Sequence, residues 1–362
     1  MGQRERDIWL GVPPVKLLWT FNGNLPEFCR QTATVERKDR VINSLIDVAK
    51  VTHDDVVSAA RRVSGEVERT PLIESEINGS RIWLKCECLQ TGGAFKLRGA
   101  TNRLLQLSEE ERQRGVVAFS SGNHARGVAI AARRIGIRAI IVMPADAPQV
   151  KVEGTRSEGA EIIFYDRRTE SREAIASKIS EEMGATVVPS FDDPAIVAGQ
   201  GTTGLEIVEQ LGRSPRRIVI PCGGGGLASG IALAVPEAQI VVVEPEGWDD
   251  MAHSLELGEI VPVAADAPNT FCDAIMTPRV SPITFGVLAE RNAAALSVSD
   301  ADVAQAIRFA WEKHELVVEP GAAVALAAMV TGKLSPLEDT VVVVSGGNID
   351  PVLHARIIAG EI

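Results

Sequence analysis

The chain has 362 residues, 45% hydrophobic and 23% charged, the balance of a soluble globular protein long enough for one large domain or two modest ones. Its 48 acidic residues against 37 basic ones give a net charge of −11, which argues against nonspecific binding to nucleic acid or to an anionic membrane. A small anionic ligand would need a local basic pocket.

No apolar stretch reaches spanning length without glycine, proline or charge, and no amino-terminal apolar run precedes a small-residue cleavage site, so neither a membrane nor secretion is expected. The five cysteines, Cys29, Cys86, Cys88, Cys222 and Cys272, are scattered and odd in number, which fits reduced thiols in a cytoplasmic protein. Cys86 and Cys88 lie two apart in RIWLKCEC and are expected on one face of a strand, as core residues, not around a metal.

Residues 1–40 mix Pro13, Pro14, short apolar scraps and charges without helical or strand period, and read as a poorly ordered extension. The contrast with the regular text after Val41 leads to the expectation that translation starts near that residue. From Thr52 the periodicity predicts a capped helix in THDDVVSAARRVSG, a strand in RIWLKCE and a helix in ATNRLLQL. Strand and helix then alternate through GVVAFSS, HARGVAIAARRIG, IRAIIVMP, VKVEGTRSEG, AEIIFYD, SREAIASKISEEMG and TVVPSF. Residues 113–192 thus read as a small parallel-sheet domain with right-handed crossovers.

A second series follows in GLEIVEQLG, RRIVIP, LASGIALAV, QIVVVE, DADVAQAIRFAWEKHE, GAAVALAAMV and TVVVVSGG. Its near-continuous apolar strands predict a sheet covered by helices on both faces. The expected fold is α/β: two domains of open parallel sheets, with residues 41–112 plus 193–362 forming the larger one.

Four segments place chemistry at strand ends, where open α/β sheets bind ligands. In LQTGGAFKLRGATN, Gly92 and Gly93 loosen the chain and Phe95 and Leu97 flank Lys96, ahead of the predicted helix. Such a lysine gains nucleophilicity if desolvated, although helix capping alone also accounts for it. In FSSGNHARG, Ser120, Ser121, Asn123 and His124 crowd a helix start suited to a carboxylate or a cofactor oxygen, or simply to capping.

Gly223, Gly224, Gly225 and Gly226 link the apolar run RIVIPC to LASGIALAV, the layout of a backbone cradle for phosphate. Three readings of these glycines are weighed. Gly223, Gly225 and Ala228 match a dinucleotide fingerprint with Glu244 as the ribose acid, no Lys-Ser or Lys-Thr pair supports a nucleotide P-loop, and tight packing is the third. Finally, Ser345 ends the run VVVVSGGNID.

Together and in this order, the four segments resemble the fold type II enzymes of pyridoxal 5'-phosphate (PLP), with the tryptophan synthase beta-like architecture, and specifically the serine/threonine dehydratase and serine racemase family. The resemblance spans residues 45–355 and favours PLP phosphate over a dinucleotide. It implies that Lys96, beside Phe95, holds the cofactor aldehyde as a Schiff base and then removes the substrate Cα proton. Asn123 would contact the ring hydroxyl, Gly223 to Gly226 with Leu227 the phosphate, and Ser345 the pyridine nitrogen. A neutral serine there should favour prompt β-elimination. Ser121 would be the acid/base on the opposite face, with Ser120, Ser121 and His124 around the substrate carboxylate.

The same resemblance implies a divalent cation, Mg²⁺ or else Ca²⁺ or Mn²⁺, on Glu244, the Trp248 carbonyl and Asp250, in place of a ribose acid at Glu244. A solvated acidic loop is the alternative. Arg172, in RRTESREAI, would reach a substrate carboxylate when the small domain closes, with Thr277 assisting. The alternative for Arg172 is an ion pair with Glu170 or Glu173. Met276, Pro278 and Trp248 depart from the commoner family residues.

The implied protein is a cytoplasmic, catabolic homodimer acting on a small amino acid. It would be an ammonia-lyase dehydrating L-threonine, L-serine or 3-hydroxyaspartate. A serine or aspartate racemase and a catalytically silent PLP-binding sensor are the alternatives. The short stretch after SGGNID leads to the expectation of no regulatory domain.

Overall fold

The computed structural model describes residues 50–362 apart from Ser121 and Pro148; the extension read at residues 1–40 and the acid/base position Ser121 lie outside the described residues. Thr52 caps α1 (His53–Val63) in a capping box with Asp55. The chain then forms an antiparallel hairpin, β1 (Leu72–Ile77) with β2 (Ser80–Cys86). Asn78 and Gly79 turn it with φ of 52° and 74°, the two positive values that a two-residue hairpin turn requires. Cys86 ends β2, while Cys88 falls in the 3₁₀ turn Glu87–Leu89. The expectation that both share one strand face is therefore corrected: the chain has to leave the sheet at Cys86 to reach α2 (Lys96–Leu105).

Strands β3 (Val116–Phe119), β4 (Ala139–Pro144), β5 (Glu161–Tyr165) and β6 (Thr186–Val187) make a four-stranded parallel sheet in the order β5-β4-β3-β6. Between them run α4 (Asn123–Arg134), α5 (Gln149–Arg156) and α6 (Arg172–Met183), after the short α3 (Glu109–Arg114). The second sheet has six strands in the order β1-β2-β10-β7-β8-β9, parallel except at β1. It is completed by β7 (Arg217–Pro221), β8 (Gln239–Pro245), β9 (Ala294–Val298) and β10 (Thr340–Val344). Its helices are α7 (Pro194–Leu211), α8 (Gly226–Ala234), α9 (Asp250–Leu257), α10 (Pro282–Glu290), α11 (Asp300–His314), α12 (Pro320–Val330) and, last, α13 (Pro351–Ile358).

The unbroken valines of β10 follow from burial on both faces. Val342 and Val344 pack into one core with Val324, Ala327 and Ala328 of α12, while Val341 and Val343 pack into another with Leu227 and Ile231 of α8. In each sheet the chain reverses its direction of travel once, between β3 and β6 and between β7 and β10. These reversals open crevices at the carboxyl ends of the strands, and the turns after β3, β7 and β10 are the ones carrying the serine, glycine and Ser345 segments. Among the described residues, no helix is long and apolar enough to cross a membrane, and the four described cysteines are free.

A buried charge network fixes α2. Fully buried Arg98 donates to Glu87 through Nε and Nη2 at 2.8 Å each, and to Glu206 of α7 through Nη1 at 2.6 Å and Nη2 at 2.8 Å. Lys85 of β2 adds bonds to Glu206 at 2.6 Å, Gln210 at 3.0 Å and the Thr70 carbonyl at 2.8 Å. Removing the guanidinium would leave two carboxylates without their main partner, a loss of about 3–5 kcal/mol for a buried pair. Arg98→Ala is accordingly expected to lower the denaturant-unfolding stability by that amount; a change below about 1 kcal/mol would contradict the assignment.

Candidate active site

Lys96 is the first residue of α2, so the helix begins at the lysine itself and not after it. Gly92 and Gly93 precede it with φ of 80° and 76°. The turn is docked on the end of β10: the Phe95 N–H donates to the Ser345 carbonyl at 3.1 Å, and Ala94 pairs with Gly346 in an isolated bridge. The Lys96 amine donates to the Ser190 carbonyl at 2.9 Å and lies 5.1 Å from the Phe95 ring centre. Desolvation lowers its pKa to about 8, against the opposing pull of the Glu319 charge.

Asn123 opens α4 directly after the serine turn. Its Nδ2 donates to Glu319 Oε1 at 2.5 Å, and its Oδ1 accepts from Asn348 Nδ2 at 2.8 Å. His124 is 2% exposed, and its Nε2 bonds the Val188 carbonyl at 2.9 Å. A carbonyl only accepts, so Nε2 carries the proton and Nδ1 is a buried acceptor with no partner. Burial, and then the Lys96 charge, push this imidazole down to about 3, so it is neutral. Ser120 Oγ accepts from the Gly122 N–H at 3.2 Å.

The glycine loop joins β7 to α8, with Gly225 at φ 83°. Phe191, one residue beyond the Lys96 partner Ser190, covers it so closely that a Cβ on Gly224 would stand 2.3 Å from the Phe191 ring. A Cβ on Gly223 would meet Ile275 and the Thr277 hydroxyl at 3.0 Å. The backbone must therefore stay bare, and Lys96, the glycines and Thr277 share one neighbourhood. Leu227 is buried beneath the loop, and Ser345 is 5% exposed at the end of β10. A nucleophilic amine, a bare-backbone anion cradle and a hydroxyl at a strand end form a donor set that fits PLP.

Arg172 begins α6, where its guanidinium lies 5.4 Å from the centre of the Phe119 ring, at the end of β3. It is paired with Glu173 at 2.8 Å, the ion pair held open as the alternative in the sequence, while Glu170 binds the Asp166 N–H. Lys151 of α5 forms an ion pair with Asp273, which lies in the segment leading to Thr277.

Glu244, one residue before the end of β8, is fully buried and accepts from the N–H groups of Met251 at 3.1 Å and Ala252 at 2.9 Å. Burial, and then the charge of Asp250, hold it well above the usual carboxylate range. Asp250 is 2% exposed and neither oxygen makes a hydrogen bond of normal geometry. Burial raises it to about 7, with the backbone of Asp250 and Val280 pulling the other way. Of these two buried acids only Asp250 lacks hydrogen-bond partners, and adjacent oxygen donors of this kind fit a hard cation. The Trp248 indole N–H donates to the Pro268 carbonyl at 2.8 Å. Among the described residues, no three His, Cys, Asp or Glu side chains cluster as a metal site, so any such site would need the Trp248 carbonyl or water.

Sequence reasoning missed Glu319, Lys151, Ser190 and Asn348. Only Glu319 carried a local signal, as the acid before Pro320 at a helix start; the others become visible only when distant turns meet. With Lys96 near 8, its reaction with trinitrobenzenesulfonate in the cofactor-free protein, located by peptide mass, is expected to rise through a midpoint near pH 8. A midpoint near the ordinary 10.5 would contradict the desolvation.

Comparison with known proteins accords with this geometry. A family model described as pyridoxal-phosphate dependent enzyme matches residues 41–346. An L-threo-3-hydroxyaspartate ammonia-lyase of a Pseudomonas species is 41% identical over 318 residues, covering 85% of this chain and 99% of the relative. An L-threonine ammonia-lyase of Thermotoga maritima is 40% identical over 316 residues, covering 85% of this chain and 78% of the relative. The solved structure of maize serine racemase superposes with a TM-score of 0.80 at 35% identity, covering 86% of this chain and 98% of that one. The chain belongs to the pyridoxal-phosphate dependent enzyme family, in its fold type II branch.

Proposed function

We propose that this chain is a PLP-dependent ammonia-lyase that dehydrates a β-hydroxy amino acid, L-threonine, L-serine or 3-hydroxyaspartate, to a 2-oxo acid and ammonia. The observation that carries the proposal is the Lys96 amine, lowered to about 8 and bonded to the Ser190 carbonyl beside Phe191, whose ring covers the glycine loop. Phe95 and Lys96, Asn123, the loop Gly223 to Gly226 with Leu227, and Ser345 would hold PLP. Bound there, PLP supplies an electron sink for the pair left at Cα when a proton is removed.

The chain supplies the rest. Lys96, neutral just above pH 8, takes the Cα proton. Neutral His124 adds no charge, and its Nδ1, without a partner, is left as an acceptor only. Ser120 and the N–H groups at the start of α4 bind that carboxylate, beside Ser121. The Cα proton and the β-hydroxyl depart together as one water, leaving an enamine, and hydrolysis by one water yields the 2-oxo acid and ammonia.

Among the three substrates we favour 3-hydroxyaspartate. Arg172 stands against Phe119 at the edge of the serine turn, and exchanging Glu173 for a distal carboxylate would keep its charge-assisted pairing. Thr277 lies against Gly223, and its hydroxyl would assist. The 41% identity to a hydroxyaspartate ammonia-lyase supports the same choice. The likeness to serine racemase supports a second reading, in which Ser121 returns the proton from the opposite face.

Mg²⁺, Ca²⁺ or Mn²⁺ on Glu244, Asp250 and the Trp248 carbonyl would relieve the two raised acids and brace the cradle, since Met251, whose N–H Glu244 accepts, packs beneath Gly225. We further propose a cytoplasmic, catabolic homodimer in which residues 113–192 close over the site as a small domain against 41–112 and 193–362.

Ammonia and 2-oxo acid release from the three amino acids, with chiral analysis of the remaining serine, tests the reading. The lyase predicts ammonia from at least one, and several-fold loss after chelation that Mg²⁺ restores. Arg172→Ala should raise KM for 3-hydroxyaspartate about tenfold or more, the worth of a charge-assisted bond, and leave serine unaffected. Racemisation without ammonia would favour the second reading, and a spectral response without either would favour a silent sensor.

A further inference from the structure

Glu319 has no part in the chemistry above, yet it sits inside the site. It is 2% exposed, and its backbone N–H donates to the Gly346 carbonyl at 3.1 Å. Its Oε1 lies 1.9 Å from where a Cβ on Gly346 would be, so glycine at 346 is what makes room for the carboxylate. Oε1 accepts from Asn123 Nδ2 at 2.5 Å. On the other side of the same amide, Asn348 Nδ2 donates to Asn123 Oδ1 at 2.8 Å and to the Gly92 carbonyl at 2.8 Å.

An asparagine amide has two orientations of nearly the same shape, with donor and acceptor exchanged. Here they differ in energy. With Glu319 ionised, above about pH 7, turning Asn123 over would set its oxygen against the carboxylate and its NH₂ against that of Asn348, replacing two hydrogen bonds by two contacts of like polarity. Asn348 cannot turn to accommodate it, because its own NH₂ is held by a backbone carbonyl that only accepts. Asn123 Nδ2 keeps a second N–H after these bonds are made.

We propose that Glu319 and Asn348 are positioning residues that lock the Asn123 amide in the orientation that donates an N–H to the ring hydroxyl of bound PLP. The proposal rests on the cofactor reading above, and its test separates the two. Holoenzyme is stripped and reloaded with PLP or with 3-deoxypyridoxal 5'-phosphate, which lacks the ring hydroxyl, and the two dissociation constants are measured by absorbance.

Wild type is expected to prefer PLP about tenfold, the scale of one hydrogen bond. Glu319→Ala and Asn348→Ala should each narrow that preference to about twofold or less, whereas Glu319→Gln, whose amide oxygen still accepts from Asn123, should retain it. Asn123→Ala should abolish the preference, and adding Glu319→Ala to it should change nothing further. A merely structural role for Glu319 would weaken both ligands alike. An unchanged preference in Asn348→Ala and Glu319→Ala, or a narrowing that persists without Asn123, overturns the proposal. If Glu319→Ala does not fold, Asn348→Ala alone decides. Capture of neither compound by wild type overturns the cofactor reading itself.

Discussion

The site depends on where α2 begins, and a buried guanidinium decides that. Arg98 stands two residues after Lys96, and its bonds to Glu87 and Glu206 tie the first turn of α2 to the exit of β2 and to α7. The arrangement is costly in isolation, because burying charge forfeits hydration. It is stable here because each member of the group has partners: Arg98 overcomes the burial that would raise Glu87, and Lys85 and Thr70 complete the pairing. Such a network confers position more than stability, since well-packed apolar residues can often replace a buried ion pair. Position is what a lysine proposed to carry a cofactor needs.

From that anchor, three distant parts of the chain close on one another. The turn before Lys96 docks on the end of β10 through Ser345 and Gly346, the segment after β6 supplies Ser190 and Phe191, and Phe191 presses on the glycine loop after β7. The ends of β6, β7 and β10 all stand beside a reversal in sheet order. The same desolvation that lowers Lys96 also keeps His124 neutral and raises Glu319 to about 7, where burial outweighs the Asn123 hydrogen bond and the Lys151 charge. Burial therefore shifts the titration of the amine and of two groups near it.

Much of this was legible in the sequence where a local rule operates. Runs such as TVVVV and RIVIP announce strands buried on both faces, and four glycines after one of them announce bare backbone at a helix start. The β1–β2 hairpin is legible too, in Asn78-Gly79, as is the start of α7 at the Asp193 cap with Pro194. What no local pattern encodes is which distant side chains meet. Arg98 reads as a solvated helix residue until Glu206 is folded against it, and Asn348 reads as a turn residue until it meets Asn123. Cys88 shows the converse: period two predicts the strand to continue, but the chain must leave the sheet to deliver Lys96.

The claim at the centre of this account is that Lys96, and no other lysine, carries the cofactor. Reducing PLP-loaded protein with borohydride and mapping the modified peptide by mass tests it directly. The account predicts that the phosphopyridoxyl mass falls on Lys96 alone, and that Lys96→Ala takes up none. Modification of a different lysine, or full labelling of the Lys96→Ala protein, would contradict it.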